Sequence, residues 1–211
     1  MSATVTPTDN LNSTLGSNPG LARLYDNIML QVPAVGLSLV KLMVWNTIEE
    51  FYLRSTARRE TVFWTMSVGM TQIDFNPYDA TWLVAWILDV SGLTFPQIRM
   101  PGLLIDTQPN GQAFQRTGSV LLALKPVSFS TDLPPELFEQ WFETILDGSL
   151  ARIYMQPAKP WSSVQLAGYH GGRYRGGISR ARAIAQGAYT DGGGRWRFPQ
   201  AQGFAMGKRK S

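Results

Sequence analysis

Apolar side chains recur along this chain with two different periods. Leu37, Val40, Val44, Ile48, Phe51 and Tyr52 follow at spacings of three, four and one, which gathers them on one face of an α-helix. The spacing predicts helix across residues 21–58, with a break at Pro33 and Gly36 that leaves Arg23 to Leu30 as a short helix of its own. Arg54, Arg58 and Arg59 stand at its end, where cations favour the negative pole of the helix dipole. Over residues 61–129 the period shortens to two. Val62, Trp64, Met66 and Val68 alternate with Phe63, Thr65 and Ser67, and β-branched and aromatic residues dominate. Trp82 to Val90 and Ser119 to Val127 are further apolar runs of strand length, and turn residues recur at Asn76-Pro77, Ser91-Gly92, Met100-Pro101-Gly102 and Pro109-Asn110-Gly111. A small β-region of four to five strands is expected, with Pro109-Asn110-Gly111 as an exposed hairpin tip.

The helical period returns at residues 132–155. Leu137, Phe138, Trp141, Phe142, Ile145, Leu146, Leu150, Ile153 and Tyr154 form a broad aromatic stripe, with Glu136, Glu139 and Glu143 at its start. Asp132 is the expected cap, and Pro134 with Pro135 suits a first turn. A third long helix is expected over residues 162–188, although Gly171-Gly172 and Gly176-Gly177 fall inside it and each costs about 1 kcal/mol relative to alanine. The two ends are different in kind. Residues 1–20 are rich in Ser, Thr, Asn and Pro and read as a flexible arm, and residues 190–211 as an extended basic tail. The fold class this predicts is α+β: a bundle of about three long helices (21–58, 132–155, 162–188) with the β-region 61–129 inserted, forming a body over 21–189 between two arms.

Charge sharpens this division. Nine of the 19 Lys and Arg lie in residues 168–211 against one acid, Asp191, a net of +8; the remainder holds ten basic and fourteen acidic residues, a net of −4. A mildly acidic body with a strongly basic end calls for an anionic partner, either nucleic acid or an acidic protein surface. Charged residues make up 16% of the chain, fewer than the roughly 25% usual in soluble proteins, which fits surface that ends against other protein. The chain has no cysteine, which excludes disulfides, thiolate zinc sites and cysteine nucleophiles, and one histidine, His170. No stretch approaches the ~20 apolar residues of a membrane helix, and the first twenty residues lack the basic start and apolar core of a secretory signal, so no membrane partner is expected.

Motifs with chemical meaning are few. Gly203-Phe204-Ala205-Met206-Gly207-Lys208 is similar to a phosphate-binding loop but has one spacer residue too few and no Ser or Thr after the lysine. His170 lies beside two glycines in a chain with no GxSxG nucleophile elbow, and is expected to be a surface or interface histidine. Glu136, Glu139 and Glu143 are expected to form a solvated face. No catalytic residue, metal ligand or cofactor is expected. More informative are Gly171 to Arg182 and Gly194 to Phe198, where arginines alternate with aromatics and glycines. That pattern suits protein interfaces and also nucleic acid, through phosphate contacts and base stacking. Trp196, Phe198 and Phe204 argue against a merely solubilising tail. Arg173, Tyr174, Arg175, Arg180 and Arg182 are therefore candidate subunit-interface or DNA-facing residues.

Three blocks carry a resemblance to a known family. Glu139-Gln140-Trp141-Phe142-Glu143, then Ile145 to Tyr154 (ILDGSLARIY), lead into Gln156-Pro157-Ala158-Lys159-Pro160-Trp161. A further helix follows with Ala167, His170, Tyr174, Gly177-Ile178 and Ala181-Arg182, and an earlier one carries Ile48-Glu49-Glu50-Phe51 and Arg54-Ser55-Thr56. In this order the blocks resemble the head-to-tail adaptor, or connector, proteins of short-tailed, podovirus-like bacteriophages; Tyr52 stands where that family has a cysteine. The resemblance spans residues 25–190 and is strongest over 139–186.

The resemblance implies a structural virion protein and not an enzyme. It implies a dodecameric homo-oligomeric ring between the portal protein and the tail nozzle or tube, at the head-tail junction of a virion assembled in the host cytoplasm, with genomic DNA passing through the lumen. The tail would climb onto the portal, making Arg195, Trp196, Arg197, Phe198, Phe204, Lys208, Arg209 and Lys210 the portal-binding residues. The reading that competes with it is a nucleic-acid-binding protein using the same basic Arg/Gly/aromatic region.

Overall fold

The computed structural model describes residues 18–67, 72–93, 96–106, 116–130 and 132–187. Among them the chain is mixed helix and strand, of the α+β class, with two small antiparallel sheets lying between two groups of helices in chain order. The arm before residue 18, the hairpin tip at 109–111, the phosphate-loop-like segment and every portal-binding candidate from Arg195 to Lys210 lie outside the described residues.

Helix α1 (Pro19–Gln31) starts where Asn18 caps it: the Asn18 side-chain oxygen accepts from the Gly20 and Leu21 amides at 3.0 and 3.4 Å, and Pro19 occupies the first turn. Leu21, Leu24, Tyr25 and Ile28 form its buried stripe. Pro33 then keeps Val32 out of the helical region and ends the helix. Helix α2 (Leu37–Ser55) follows from Gly36 and closes at Thr56, which adopts a left-handed φ of 51°. The break expected at Pro33 and Gly36 thus divides residues 21–58 into two helices. Arg58 and Arg59 lie beyond α2: Arg58 stacks over Trp82, and Arg59 opens the first strand.

The first sheet holds β1 (Arg59–Met66), β3 (Trp82–Val90) and β6 (Arg116–Pro126) in the order β1-β6-β3. β6 is central because it is apolar on both sides: Val120, Leu122, Ala123 and Leu124 are all fully buried. Its register pairs Arg59 with Ala123 on one side and Trp82 with Pro126 on the other. Two bulges, at Val84/Trp86 and Ile87/Asp89, interrupt the strict alternation of β3. The second sheet, β2 (Gln72–Asp74), β4 (Pro96–Met100) and β5 (Leu103–Asp106), has the order β2-β5-β4. Its β4–β5 hairpin turns on Pro101-Gly102, where Gly102 has a φ of +87° that a side chain would strain. Among its described residues the region has six strands, one more than the upper expectation.

Helices α3 (Pro135–Gln140), α4 (Phe142–Tyr154) and α5 (Val164–Gly187) complete the described elements. The stripe predicted over 132–155 is divided at Trp141, whose φ of −119° leaves the helical region. Asp132 is not a cap; Pro134 takes that place without a side-chain hydrogen bond. The core forms where α2, α4 and β6 meet. Val44, Ile48 and Phe51 of α2 are fully buried, Ile145 and Ile153 of α4 likewise, and Trp141 packs on Phe51 with ring centroids 5.6 Å apart. Lys125 on β6 and Glu49 on α2 pair at 2.6 Å along the seam.

Candidate interaction surface

α4 and α5 run antiparallel, and two glycines set how closely they approach. A Cβ on Gly148 would lie 2.5 Å from the Thr47 methyl and 2.7 Å from the Tyr174 ring, and one on Gly177 would collide with Thr144. The glycine pairs that threatened α5 therefore divide by role. Gly177 faces α4, while Gly168, Gly172 and Gly176 have nothing within 4 Å of a Cβ. α5 remains one continuous helix because its inner stripe, Ala167, Tyr174, Ile178 and Ala181, is buried against α4 and α2.

A polar cluster pins the pair. Asp147, only 5% exposed although it sits within the apolar stripe of α4, has Oδ1 2.7 Å from His170 Nδ1 and Oδ2 2.9 Å from Arg173 Nε. A carboxylate oxygen only accepts, so His170 donates from Nδ1. Tyr154 stacks on His170 at 5.7 Å, and Tyr169 meets it edge-on at 5.1 Å. Arg173 donates to the Tyr169 hydroxyl at 3.1 Å; that bond, followed by the Asp147 charge, holds its pKa above the ordinary value. His170, expected as a surface or interface histidine, is thus a largely buried joint between two helices. An acid inside an apolar stripe, with a lone histidine on the following helix, was the available signal.

Tyr174 must be removed from the surface candidates. It is buried against α2, donating its hydroxyl to the Thr47 carbonyl at 2.9 Å, and burial raises its pKa far above the usual phenol value. Its place on the inner stripe, four residues before Ile178, is the reason. The four arginines stand on the exposed part of the helix in two rows. Arg173 and Arg180 lie on the α4 side, the first on Asp147 and the second over the Trp141 ring at 5.9 Å. Arg175 and Arg182 lie on the α2 side, where Arg182 donates from Nε to the Arg54 carbonyl at 2.9 Å. Between the rows Gly168, Gly172 and Gly176 leave bare backbone. Helix interior glycines without a packing reason cost about 1 kcal/mol each, so this ridge is unfavourable for the isolated fold. Among the described residues Arg175 and Arg180 enter no salt bridge.

Arg175 also lines a cleft of about 320 Å³ with Glu50, Arg54 and Arg152. Glu50 bridges the other two, accepting from Arg54 at 2.8 Å and Arg152 at 2.5 Å. Three guanidiniums against one carboxylate make this flank cationic. On the α1 side of the helices a cleft of about 720 Å³ has the opposite sign. Asp132, Glu139 and Glu143 line it, with Arg23 as the one cation among its lining residues. The β-region supplies a third feature, an apolar groove of about 250 Å³ lined by Trp86, Ile98 and Met100, all more than half exposed.

These features present charge and apolar surface. Among the described residues no three His, Asp or Glu side chains come close enough to hold a metal ion, and no helix is long and apolar enough to cross a membrane. No protein-family model matches the chain, and no curated protein matches it.

Proposed function

We propose that this chain is a non-catalytic adaptor at the head-to-tail junction of a short-tailed phage, a virion component that assembles as a ring between portal and tail nozzle and leaves a channel for DNA. In this reading the helices flanking the β-region act as one bundle, the inserted strands meet a neighbouring virion protein, and the basic tail docks on the portal.

One observation carries the reading. The three blocks of residues that bear the family resemblance are joined pairwise in space. Glu50 of the first block pairs with Arg152 of the second at 2.5 Å. Asp147 of the second pairs with His170 of the third at 2.7 Å. Arg182 of the third donates to the Arg54 carbonyl of the first at 2.9 Å. Residues that seemed scattered in sequence act as one α2–α4–α5 joint, the arrangement a shared scaffold requires. The exposed arginines of α5 and the apolar groove beside Trp86 supply surfaces for partners.

The test is the mass in solution of the full chain, alone and mixed with the portal protein of the same virus, beside a chain ending at Tyr189. A single large complex with the full chain that is lost on truncation is the expected result. A full chain that ignores the portal overturns the reading. Salt-sensitive binding to duplex DNA in its place would move the function to nucleic-acid binding.

A further inference from the structure

We infer that the outer face of α5 is the contact surface for a second copy of this chain, which meets it with the acidic cleft lined by Asp132, Glu139 and Glu143. The inference deepens the adaptor reading and rests on it for the place of the contact within a ring; the contact itself is argued from two complementary surfaces of the chain.

The first surface is bare and basic. Gly168, Gly172 and Gly176 recur every fourth residue, and nothing in the described protein occupies the space a side chain would take there. Glycine at that spacing lets another backbone approach closely. The ridge lies between Arg173 and Arg180 on one side and Arg175 and Arg182 on the other, and α5 carries no acid over its 24 residues. Arg54 and Arg152 extend the positive flank beyond the Arg175 row.

The second surface is concave and acidic. Glu139 and Glu143 are exposed and, among the described residues, make no salt bridge. With Asp132 they line the 720 Å³ cleft beside α1, whereas the Arg175–Arg182 row faces α2. The cleft's one cation, Arg23, is drawn over the Phe142 ring at 4.6 Å. An arginine of a neighbouring copy fits this environment through charge-assisted hydrogen bonds. Because the two surfaces differ, the contact is head-to-tail, and repeated copies close into a ring or extend as a filament. Nucleic acid could also meet the arginines, but it would leave the matching acidic cleft of the same chain without a role.

The experiment follows association of the full chain by sedimentation velocity over a concentration series, for wild type, for Arg175→Ala with Arg180→Ala, and for Glu139→Gln with Glu143→Gln. All four side chains are exposed, so circular dichroism and thermal melting should match wild type. Wild type should associate, and each double variant alone should associate at least about tenfold more weakly. An equimolar mixture should stop at a one-to-one dimer, since each variant keeps one intact surface. Variants that associate as tightly as wild type overturn the inference, as does a wild-type chain that stays monomeric at its highest soluble concentration. So does duplex DNA binding that falls about tenfold in the arginine variant with association unchanged. Loss of association in the variants while wild type ignores the portal upholds the contact and removes the adaptor reading. Portal binding with unaltered association does the reverse.

Discussion

Helices α4 and α5 pack against each other, yet the fold treats them oppositely. α4 is enclosed: Ile145, Leu150 and Ile153 are fully buried, and even Asp147, Gly148 and Ser149 are hidden. α5 buries only Ala167, Tyr174, Ile178 and Ala181 of its 24 residues. The difference follows from position. α4 lies between α1, α2 and α5, whereas α5 rests on α2 and α4 from outside. An enclosed helix spends its side chains on packing, and an outer one needs a single stripe and is free to carry charge and bare backbone elsewhere. The glycines make the contrast sharp, because the same residue type is a packing necessity on the inside of the pair and an open ridge on the outside.

The largest break in this comparison is a cavity in α4. Ile145→Ala should destabilise the fold by about 2–5 kcal/mol, read as a lower midpoint in urea, while Ile184→Ala on α5, 51% exposed, should move it by less than about 0.5 kcal/mol. Similar midpoints for both would mean that α4 is not the centre of the core.

Overpacking comes next. Gly148→Ala would place a methyl group between Thr47 and the Tyr174 ring, at a cost of about 1–3 kcal/mol. The counterpart on the open ridge, Gly172→Ala, should instead stabilise by about 0.5–1 kcal/mol. Opposite signs in thermal melting would confirm the division of the glycines; a loss at Gly172 would refute it.

The smallest effect concerns the link from α5 to α2. Tyr174→Phe removes the bond to the Thr47 carbonyl and should cost about 1 kcal/mol. It also tests a pH dependence. Burial raises the folded-state pKa of Tyr174 above its ordinary 10.0, so its contribution is fully present below pH 10 and lost as pH rises through the folded value. Tyr52 shifts the same way, also by burial. Wild-type stability should therefore fall above about pH 10, and Tyr174→Phe should fall less steeply there. Parallel pH curves for the two proteins would rule out Tyr174 as a source of the alkaline limb.

Much of the fold was legible as periodicity. Strand β3 covers Trp82 to Val90 as expected, the aromatic stripe of α4 is buried, and the alternation of Trp64 and Met66 against Phe63 matches the buried and exposed sides of β1. These assignments depend on side chains only a few residues apart. The break after α1 was legible from Pro33, whereas the one at Trp141 was not, since local spacing continues across it. Of the surface candidates, the α5 arginines were legible from composition, but Tyr174 was not separable from them, because an aromatic within an Arg/Gly run looks the same whether it turns in or out.

By itself the sequence determined the order of helices and strands, the concentration of positive charge toward the C-terminal end and the absence of cysteine chemistry, since each is a property of local spacing or composition. Only the tertiary structure decided which glycines touch a neighbour, that Asp147 and His170 meet across 23 residues of chain, and that Asp132, Glu139 and Glu143 line one cleft while Arg54, Arg152 and Arg175 line another. Those outcomes depend on how α2, α4 and α5 are packed, and packing joins residues whose separation along the chain carries no record of their distance in space.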